Sequence, residues 1–371
     1  MKVWPVLGIV IIQVLLFLAH WFIYHTCTVF LPLNPFAALV LKIALSILSV
    51  SFMAAALLGF HYSNPLVALI YKIAAVWLGM LNFIFWAACL CWIVEVPLHF
   101  GAFDLDGHTR PLVATVLFSL AFAAVIYGLI NARWIRERHV KVTLPNLPES
   151  WRGRTALLVS DIHLGNVNGP AFSRRIAAIA ARLNPDLIFI AGDLFDGSKA
   201  DPHRLASPLF AMSPPLGTYF CGGNHEDFGD AQEYAAALKQ GGIRILESER
   251  VIVDGVHVLG VSYVDSTSLL RLRTFLDGLH LGNGTPSILL NHVPSRLPIV
   301  EHAGVSLQLS GHTHGGQMFP FTWITRRAFG KFTYGLQRFG KLQVYTSSGA
   351  GTWGPPMRVG THPEVVSISF A

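Results

Sequence analysis

Five short groups of Asp, Asn and His residues, each placed after a short apolar run, are the part of this sequence that could perform chemistry. The groups are Asp161 with His163, Asp193 with Asp196, Asn224 with His225, the single His292, and His312 with His314. Carboxylate and amide oxygens combined with imidazole nitrogens suit ions such as Mn, Zn or Fe rather than Ca. If the apolar runs are buried strands, their ends can bring these ligands to one point that holds two divalent metal ions. Such a pair can hold both the attacking and the leaving oxygen of a phosphate ester, so the pattern predicts a phosphoester hydrolase.

The spacing inside the groups supports this interpretation. Asp161 and His163 are one residue apart, so at an extended strand end both side chains would point the same way and chelate one ion. Asp193 has two carboxylate oxygens and could bridge two ions. Gly192, directly before it, would let the backbone come close where a side chain would obstruct.

The order of these groups along the chain carries a family resemblance. Asp-x-His, Gly-Asp-x-x-Asp, Gly-Asn-His-Glu, a single His and Gly-His-x-His follow one another within 155–371. In this order they resemble the calcineurin-like metallophosphoesterases, and all five blocks match without departure. The strings Ser-Gly-His-Thr-His-Gly-Gly-Gln at 310–317 and Ser-Ser-Gly-Ala-Gly at 347–351 resemble the bacterial YkuE/YaeI-type branch, as does an N-terminal membrane anchor. The resemblance implies phosphoesterase activity, and some relatives act on UDP-2,3-diacylglucosamine.

The resemblance also implies a role for each residue. One ion would be held by Asp161, His163, Asp193 and His314, and the second by Asp193, Asn224, His292 and His312. His225 would face the phosphoryl group and stabilise its charge or protonate the leaving oxygen. Asp196 would orient His225 by accepting a hydrogen bond from its other ring nitrogen. The expected reaction is attack on phosphorus by a hydroxide that the two ions share, with no protein nucleophile.

The second part of the chain alternates between strand-like and helix-like patterns. Strands are predicted at 155–160, 186–191, 217–221, 250–253, 256–261, 287–290, 306–309, 342–346 and 365–370. Helices are predicted at 172–183, 231–240 and 269–279. Asp254 and Gly255 between two strands indicate a hairpin turn. The predicted fold is therefore a layered α/β sandwich with mixed sheets.

The apolar residues are concentrated in the N-terminal third of the chain, and the chain as a whole has few charges. Only 13% of the 371 residues are charged, against about 25% in a soluble domain. Apolar runs at about 3–24, 36–60, 66–96 and 111–130 each approach or exceed the roughly 20 residues that cross a bilayer. The predicted organisation is an all-α transmembrane bundle at 1–131, a basic juxtamembrane linker at 132–153 and the metallophosphoesterase domain at 154–371.

Charged residues around the apolar runs predict the orientation. Lys2 precedes the first run, a basic cluster at 133–141 follows the fourth, and Asp104 and Asp106 lie in the loop before the fourth. The positive-inside rule then places both ends of the bundle in the cytoplasm. We expect a multi-pass protein of the inner (cytoplasmic) membrane with a cytoplasmic catalytic domain. Basic membrane flanks also explain the net charge of +6 without a nucleic acid partner.

Several features leave two interpretations open. Lys42, Lys72 and Glu95 lie inside or near the spans, where they could be functional or simply extend towards water. The segment 318–338 mixes aromatic and basic residues and is either a packed loop or a surface for acyl chains and anionic head groups. Arg358 could bind phosphate or lie on the surface. For Glu226 we expect a role in the loop rather than metal ligation.

Taken together, the sequence predicts a membrane-anchored, metal-dependent phosphoric ester hydrolase. It would cut a phosphoester or pyrophosphate bond in an anionic, lipid-linked or nucleotide-lipid substrate, and its partner would be the lipid bilayer. One alternative is a nucleotide phosphodiesterase or nuclease, whose DNA binding would weaken steeply with salt. Another is a membrane sensor or interaction protein with a metal-binding domain, which would have no need of His225 and Asp196.

Overall fold

The computed structural model describes residues 3–100, 108–282 and 284–371. The chain divides into two compact units. One, here called the helical unit, comprises Met1–Ile130 with Gly354–Met357, and the other, the α/β unit, comprises Asn131–Trp353 with Arg358–Ala371.

Four long apolar helices make up the helical unit within the described residues. They are α1 (Val3–Phe30), α2 (Pro35–His61), α3 (Pro65–Phe100) and α4 (Thr109–Asn131). Each is long and apolar enough to cross a membrane, so the four predicted helices are confirmed. Lys2, Asp104 and Asp106 lie outside the described residues, and the orientation inferred from them stays a prediction.

Polar side chains inside the helical unit pair with one another. The Trp77 indole N–H donates to His20 Nε2 at 3.0 Å. The Arg110 guanidinium donates to a Glu95 carboxylate oxygen at 2.9 Å, and Glu95 is buried. Hydrocarbon offers no hydrogen bonds, so polar groups between helices are stabilised by finding partners there. Glu95 is therefore held in an ion pair rather than extended towards water.

Two sheets of six strands form the frame of the described α/β unit. The strands are β1 (Arg136–Val142), β2 (Thr155–Val159), β3 (Leu187–Ala191), β4 (Thr218–Cys221), β5 (Ile243–Ile245), β6 (Glu249–Val253), β7 (Val256–Gly260), β8 (Ser287–Leu290), β9 (Leu307–Ser310), β10 (Gly335–Phe339), β11 (Leu342–Thr346) and β12 (Glu364–Phe370). The first sheet has the order β1-β12-β2-β3-β4-β5 and the second β10-β11-β9-β8-β7-β6. Both sheets mix parallel and antiparallel pairs, as predicted.

Helices cover the outer faces of both sheets. The helices of the described α/β unit are α5 (Pro170–Leu183), α6 (Pro202–Ala206), α7 (Ala231–Gln240), α8 (Tyr263–Thr267), α9 (Leu269–Gly278), α10 (Leu297–His302) and α11 (Phe321–Phe329), of which α11 has no buried residue and does not cover a sheet. Ile176 of α5 and Leu238 of α7 pack with Ile190 on the first sheet. Leu272 of α9 packs with Leu289 on the second sheet. Each sheet is thus buried on two faces, which is why its central strands are almost continuously apolar.

The main core lies between the two sheets. Leu158 and Phe189 from the first sheet belong to one apolar cluster with Ile288 and Leu309 from the second. Side chains alternate along a strand, so the neighbours of these residues face the helices instead. The layered α/β sandwich predicted from the sequence is confirmed. The predicted hairpin is also present, since Asp254 and Gly255 have φ values of 44° and 87° and join β6 to β7.

The interpretation of 132–153 as a linker is incomplete. Within that segment, β1 pairs in parallel with β12 along its whole length, from Arg136 with Glu364 to Val142 with Phe370. The sequence pattern does not predict this strand, because it lies at the edge of the sheet and its basic residues stay partly exposed. The segment therefore extends the first sheet.

The same segment contributes Trp151 to the core, and this residue allows a test of the packing. Its side chain is fully buried, its N–H donates to the main-chain oxygen of Val253 at 3.0 Å, and its ring meets Phe370 edge-on at 5.0 Å. Trp151→Ala is expected to lower the free energy of unfolding by about 3–5 kcal/mol, because it leaves a large cavity. The measurement is the urea midpoint of the purified full chain, followed by limited proteolysis within the α/β unit. Trp134→Ala, which removes an indole that is 65% exposed, is the control. Equal midpoints for the two variants would contradict the assignment of Trp151 to the core.

Candidate metal centre

Loops at the carboxyl ends of parallel strands carry the site residues predicted from the sequence. Asp161 and His163 follow β2, Asp193 and Asp196 follow β3, Asn224 and His225 follow β4, His292 follows β8, and His312 and His314 follow β9. Parallel strands end at the same edge, so β2, β3 and β4 present their loops together, as do β8 and β9. The two edges meet at His292, whose Nδ1 lies 2.8 Å from the main-chain oxygen of Ala191 at the end of β3.

The ligand atoms of these loops converge in overlapping groups. Within each of three groups, the ligand atoms lie within 4.8 Å of one another: Asp161, His163 and His314; Asp193, His292 and His312; and His163, Asp193 and His225. The Asn224 amide oxygen joins the second group, 2.9 Å from His312 Nδ1. The structure therefore brings together all seven residues that the sequence predicts as ligands. By distance alone His225 could also be a ligand, although the sequence predicts another role for it.

The chemistry of this cluster fits bound cations. His163 Nε2 and His314 Nε2 lie 3.0 Å apart, and His314 Nε2 lies 3.5 Å from an Asp161 oxygen. Among the described residues, Asp161 Oδ2 is buried and has no hydrogen-bond partner. Leaving such a group buried and unpaired costs about 1–3 kcal/mol. A metal ion satisfies carboxylate oxygens and imidazole lone pairs at once, so these residues are suited to hold one.

Several imidazoles are held in the form that binds metals. Burial lowers the pKa of His163 to about 3 and that of His312 to about 4, and it also lowers the pKa of His314. These rings are therefore neutral near pH 7, with a lone pair free for a cation. His292 differs from these rings: burial opposes its charge, but the Asp193 carboxylate raises the pKa of His292 to about 10, so a bound cation would displace a proton from it. The contact between His292 Nδ1 and the Ala191 oxygen fixes that ring with Nε2 turned to the cluster.

Asp193 is the acid that connects the groups. Its Oδ2 lies 3.1 Å from His292 Nε2 and 3.9 Å from His163 Nε2. Its Oδ1 accepts a hydrogen bond from the His225 main-chain N–H at 2.9 Å. Burial opposes its charge, but His292 and the neighbouring imidazoles hold the pKa of Asp193 below its ordinary value. An ionised carboxylate that faces ligands from both groups is the one suited to bridge two ions.

The local backbone differs from the sequence expectation. Asp161 and His163 were expected on an extended strand end, yet both have φ near 50°, in the left-handed region. Asp193, His312 and His314 share this conformation. Such backbone costs roughly 1–3 kcal/mol per residue and persists where the surroundings impose it, typically at functional sites. The side chains of Asp161 and His163 still converge, but a tight turn aims them rather than strand alternation.

Two glycines make this close approach possible. A Cβ at Gly192 would clash with the His292 ring, and a Cβ at Gly311 would clash with the Asp161 carboxylate. The expectation that Gly192 allows a close backbone approach is thus confirmed. Gly311 plays the same part on the opposite sheet.

His225 and Asp196 are neighbours, but not through the contact expected. His225 Nδ1 lies 3.2 Å from the main-chain oxygen of Asp196. The Asp196 carboxylate instead accepts hydrogen bonds from the main-chain N–H groups of Asn166 and Ser198 at 3.1 and 2.8 Å. The expected carboxylate–imidazole bond is therefore wrong. The Asp196 carboxylate stabilises its own loop through these hydrogen bonds. The main-chain carbonyl of Asp196 then contacts the His225 ring.

Glu226 has a larger role than the sequence suggested. Its buried carboxylate accepts hydrogen bonds from the main-chain N–H groups of Asp193, Phe195 and Gly223 at 3.1, 3.0 and 2.7 Å. Burial raises its pKa to about 7. Glu226 thus ties the β3 and β4 loops together from behind the cluster. Its position directly after the Gly-Asn-His block was the available signal.

Arg358 is neither on the surface nor directed at phosphate. It is fully buried and donates to the main-chain oxygens of His314, Gly349 and Gly351 at 2.6–3.2 Å. Burial lowers its pKa to about 10, so it remains charged near neutral pH. It therefore secures the loop that carries His314. It also contacts His314 Nδ1 at 3.2 Å. No local pattern could have predicted this, because most of its partners are main-chain atoms of other loops.

Comparison with known proteins agrees with this site. The family model of calcineurin-like phosphoesterases matches residues 155–316. A transmembrane protein with a metallophosphoesterase domain from Danio rerio is 33% identical over 71% of this chain and 63% of its own length. Uncharacterized metallophosphoesterases from Aquifex aeolicus and Bacillus subtilis, the latter called YkuE, are 30% and 29% identical over 67% and 63% of this chain and 98% and 84% of their own lengths.

The chain belongs to the calcineurin-like metallophosphoesterases. Both the resemblance to the YkuE-type branch and the resemblance to its membrane-anchored members are confirmed. The chain spans somewhat less than two thirds of the Danio rerio protein, at 63%.

The Glu226 contacts allow a test of loop positioning. Glu226→Gln keeps the size of the side chain but turns one acceptor oxygen into a donor that faces a main-chain N–H. Affinity for Mn²⁺ is expected to fall about 10- to 100-fold, as when groups that orient metal ligands are changed. Calorimetric titration of the metal-stripped full chain measures it. Glu233→Gln, at an exposed position of α7, is the control, and unchanged affinity in Glu226→Gln would contradict the role.

Proposed function

We propose that this protein is a membrane-anchored hydrolase that cuts a phosphoester or pyrophosphate bond in a lipid-linked substrate. The observation that carries the proposal is the sharing of Asp193 between two groups of buried ligand atoms, one with His163 and one with His292. A cluster of this kind is suited to two divalent cations, and an anionic phosphoryl group is the substrate that two cations attract best.

The two ions would be held by overlapping sets of residues. The first set is Asp161, His163, Asp193 and His314, and the second is Asp193, Asn224, His292 and His312. Mn, Zn and Fe all suit this mixture of oxygen and nitrogen ligands. When bound, such ions supply a nucleophile from water near neutral pH and neutralise the phosphoryl oxygens.

A residue of the chain itself, His225, would position the phosphoryl group and supply a proton. His225 Nδ1 faces the Asp196 carbonyl, which only accepts hydrogen bonds, so Nδ1 keeps its hydrogen and Nε2 is the atom that gains or loses a proton. The His225 ring lies edge-on to His163 at 4.6 Å, which places it beside the cluster. His225 would therefore stabilise the phosphoryl group or protonate the leaving oxygen at Nε2.

Location at a membrane supports a lipid-linked substrate. Four apolar helices in the same chain would confine the enzyme to the surface where such substrates lie. Basic residues follow α4 and favour the cytoplasmic face of the inner membrane: Arg133, two residues after the helix, and Arg136, Arg138 and Lys141 in β1. No nucleic acid is needed to explain these charges.

Helix α11 supports contact with the bilayer. No residue of this helix is buried, and Phe321, Trp323 and Ile324 are 47%, 66% and 50% exposed. Arg326 and Arg327 lie on the same helix, and the Phe329 ring at its end lies 6.2 Å from the His312 ring. Exposed aromatic and aliphatic residues beside arginines are typical of elements that rest on anionic lipid. The helix would thus link the lipid surface to the metal centre.

The metal and the reaction are tested together. The full chain loaded with Mn²⁺ is expected to hold two ions and to hydrolyse bis(p-nitrophenyl) phosphate or a lipid pyrophosphate. Asp193→Ala should lose both bound metal and activity, whereas His225→Ala should keep its metal and lose about 10²- to 10⁴-fold in kcat. His203→Ala, at an exposed position on α6, is the control.

Metal analysis after dialysis and initial rates supply both readouts. Activity that survives chelation or Asp193→Ala would overturn the proposal. Loss of metal in His225→Ala would make His225 a ligand instead of an acid.

The lipid preference has its own test on α11. In vesicles that contain anionic lipid, Arg326→Gln with Arg327→Gln is expected to weaken the lipid contact by about 1 kcal/mol for each charge. The ratio of kcat/KM for a lipid phosphoester to that for a water-soluble one should fall accordingly. Arg273→Gln, at an exposed position on α9, is the control. An unchanged ratio in the double variant would remove α11 from the lipid contact.

A further inference from the structure

Two exposed aromatic side chains border His225 and have no part in the mechanism described so far. Phe228 and Trp353 are 60% and 61% exposed. Their rings meet the His225 ring edge-on, with centroids 5.0 and 5.9 Å away. Neither belongs to an apolar core cluster of the described residues. Large apolar side chains left bare beside a functional site commonly mark a place where a ligand binds.

The main chain of Trp353 makes two hydrogen bonds, while its side chain stays exposed. Its main-chain N–H donates to Gln317 Oε1 at 2.9 Å, and Gln317 Nε2 donates to the Trp353 carbonyl at 3.0 Å. Gln317 is buried, and its own N–H donates to the carbonyl of the predicted ligand His314 at 3.0 Å. The backbone from which the indole projects is therefore fixed relative to the metal centre by one reciprocal amide pair.

Phe228 is fixed from the other side. It ends a short 3-10 turn, Glu226–Phe228, and its N–H donates to the His225 carbonyl at 3.2 Å. The first residue of this turn is the buried Glu226 that holds the β3 and β4 loops. The backbones of both aromatic residues are thus anchored to residues that also contact the loops of the predicted metal ligands.

The chemistry on the two sides of His225 differs sharply. The cluster side carries carboxylates and imidazoles suited to cations and hence to an anionic phosphoryl group. The other side offers two uncharged rings, which favour hydrocarbon or planar groups. His225 contacts His163 of the cluster as well as both aromatic rings, so the organic group of an ester bound at the cluster would lie within reach of those rings.

We propose that Phe228 and Trp353 form a binding subsite for the apolar group attached to the phosphoryl unit, and that Gln317 is the residue that positions Trp353. This rests on the proposed phosphoesterase function and adds to it a preference for esters whose organic part begins with hydrocarbon or a flat ring. An alkyl chain and an aromatic ring share this chemistry, and the experiment separates them.

The test uses phosphonates, which bind as phosphate esters do but are not hydrolysed. Dissociation constants of methyl-, hexyl- and phenylphosphonate are measured by calorimetry on the full chain in lipid nanodiscs with Mn²⁺. The wild type should bind the hexyl or the phenyl compound roughly three- to tenfold more tightly than the methyl compound. Preference for hexyl identifies a chain, and preference for phenyl identifies a ring.

Variants then assign the preference to the subsite. Trp353→Ala should bring the affinity ratio close to one, and Trp353→Phe should restore part of it. Gln317→Ala should resemble Trp353→Ala. Trp134→Ala removes an indole of similar exposure that lies away from His225 in the sequence and should keep the wild-type ratio. Trp353 is exposed, so its replacement does not endanger folding even if Gln317→Ala does.

Each outcome decides the matter. Wild-type affinities that do not differ among the three compounds would overturn the subsite while leaving the metal centre intact. A ratio that survives in Trp353→Ala would overturn the assignment to this residue. If no phosphonate binds the Mn²⁺-loaded chain at all, the proposed phosphoesterase function fails and the subsite fails with it.

Discussion

Burying two carboxylates and several imidazoles at one point has a high electrostatic cost, and the surrounding structure depends on how that cost is met. Bound cations would meet part of it, because they would satisfy the unpaired Asp161 Oδ2 and neutralise the charge of Asp193. Main-chain N–H groups meet another part, as at Asp161, where the His312 N–H donates at 2.9 Å. The left-handed turns and the close glycines are what this concentration of ligands requires.

The two-sheet frame explains why such a concentration is possible. Ligand loops leave β2, β3 and β4 in one sheet and β8 and β9 in the other, and the apolar layer between the sheets holds both edges in register. Residues behind the ligands complete the arrangement. Glu226 joins two loops of the first sheet, and Arg358 secures the His314 loop of the second through main-chain oxygens. The well-packed sheets can therefore hold the ligand residues in the left-handed backbone conformation.

Much of this was readable in the sequence, for a physical reason. Buried strands such as β3 and β8 are continuous apolar runs, and a polar ligand directly after such a run has to lie at a sheet edge. β1 was not readable, since an edge strand with exposed basic residues resembles a linker. Nor were the contacts of Arg358 and Asp196, because a side chain that bonds main-chain atoms leaves no pattern in its partners. The turn at Asp161 was missed because residue spacing does not report φ.

The place of β12 in the first sheet has a consequence for how the protein is made. This strand lies between β1 and β2, so the strand that leads to Asp161 lacks one neighbour until residues 364–370 have left the ribosome. Every ligand loop has been synthesised by then. During translation the acidic and imidazole side chains are therefore present before the first sheet is complete. A chain that stopped before residue 364 would thus carry every ligand loop but not the complete first sheet.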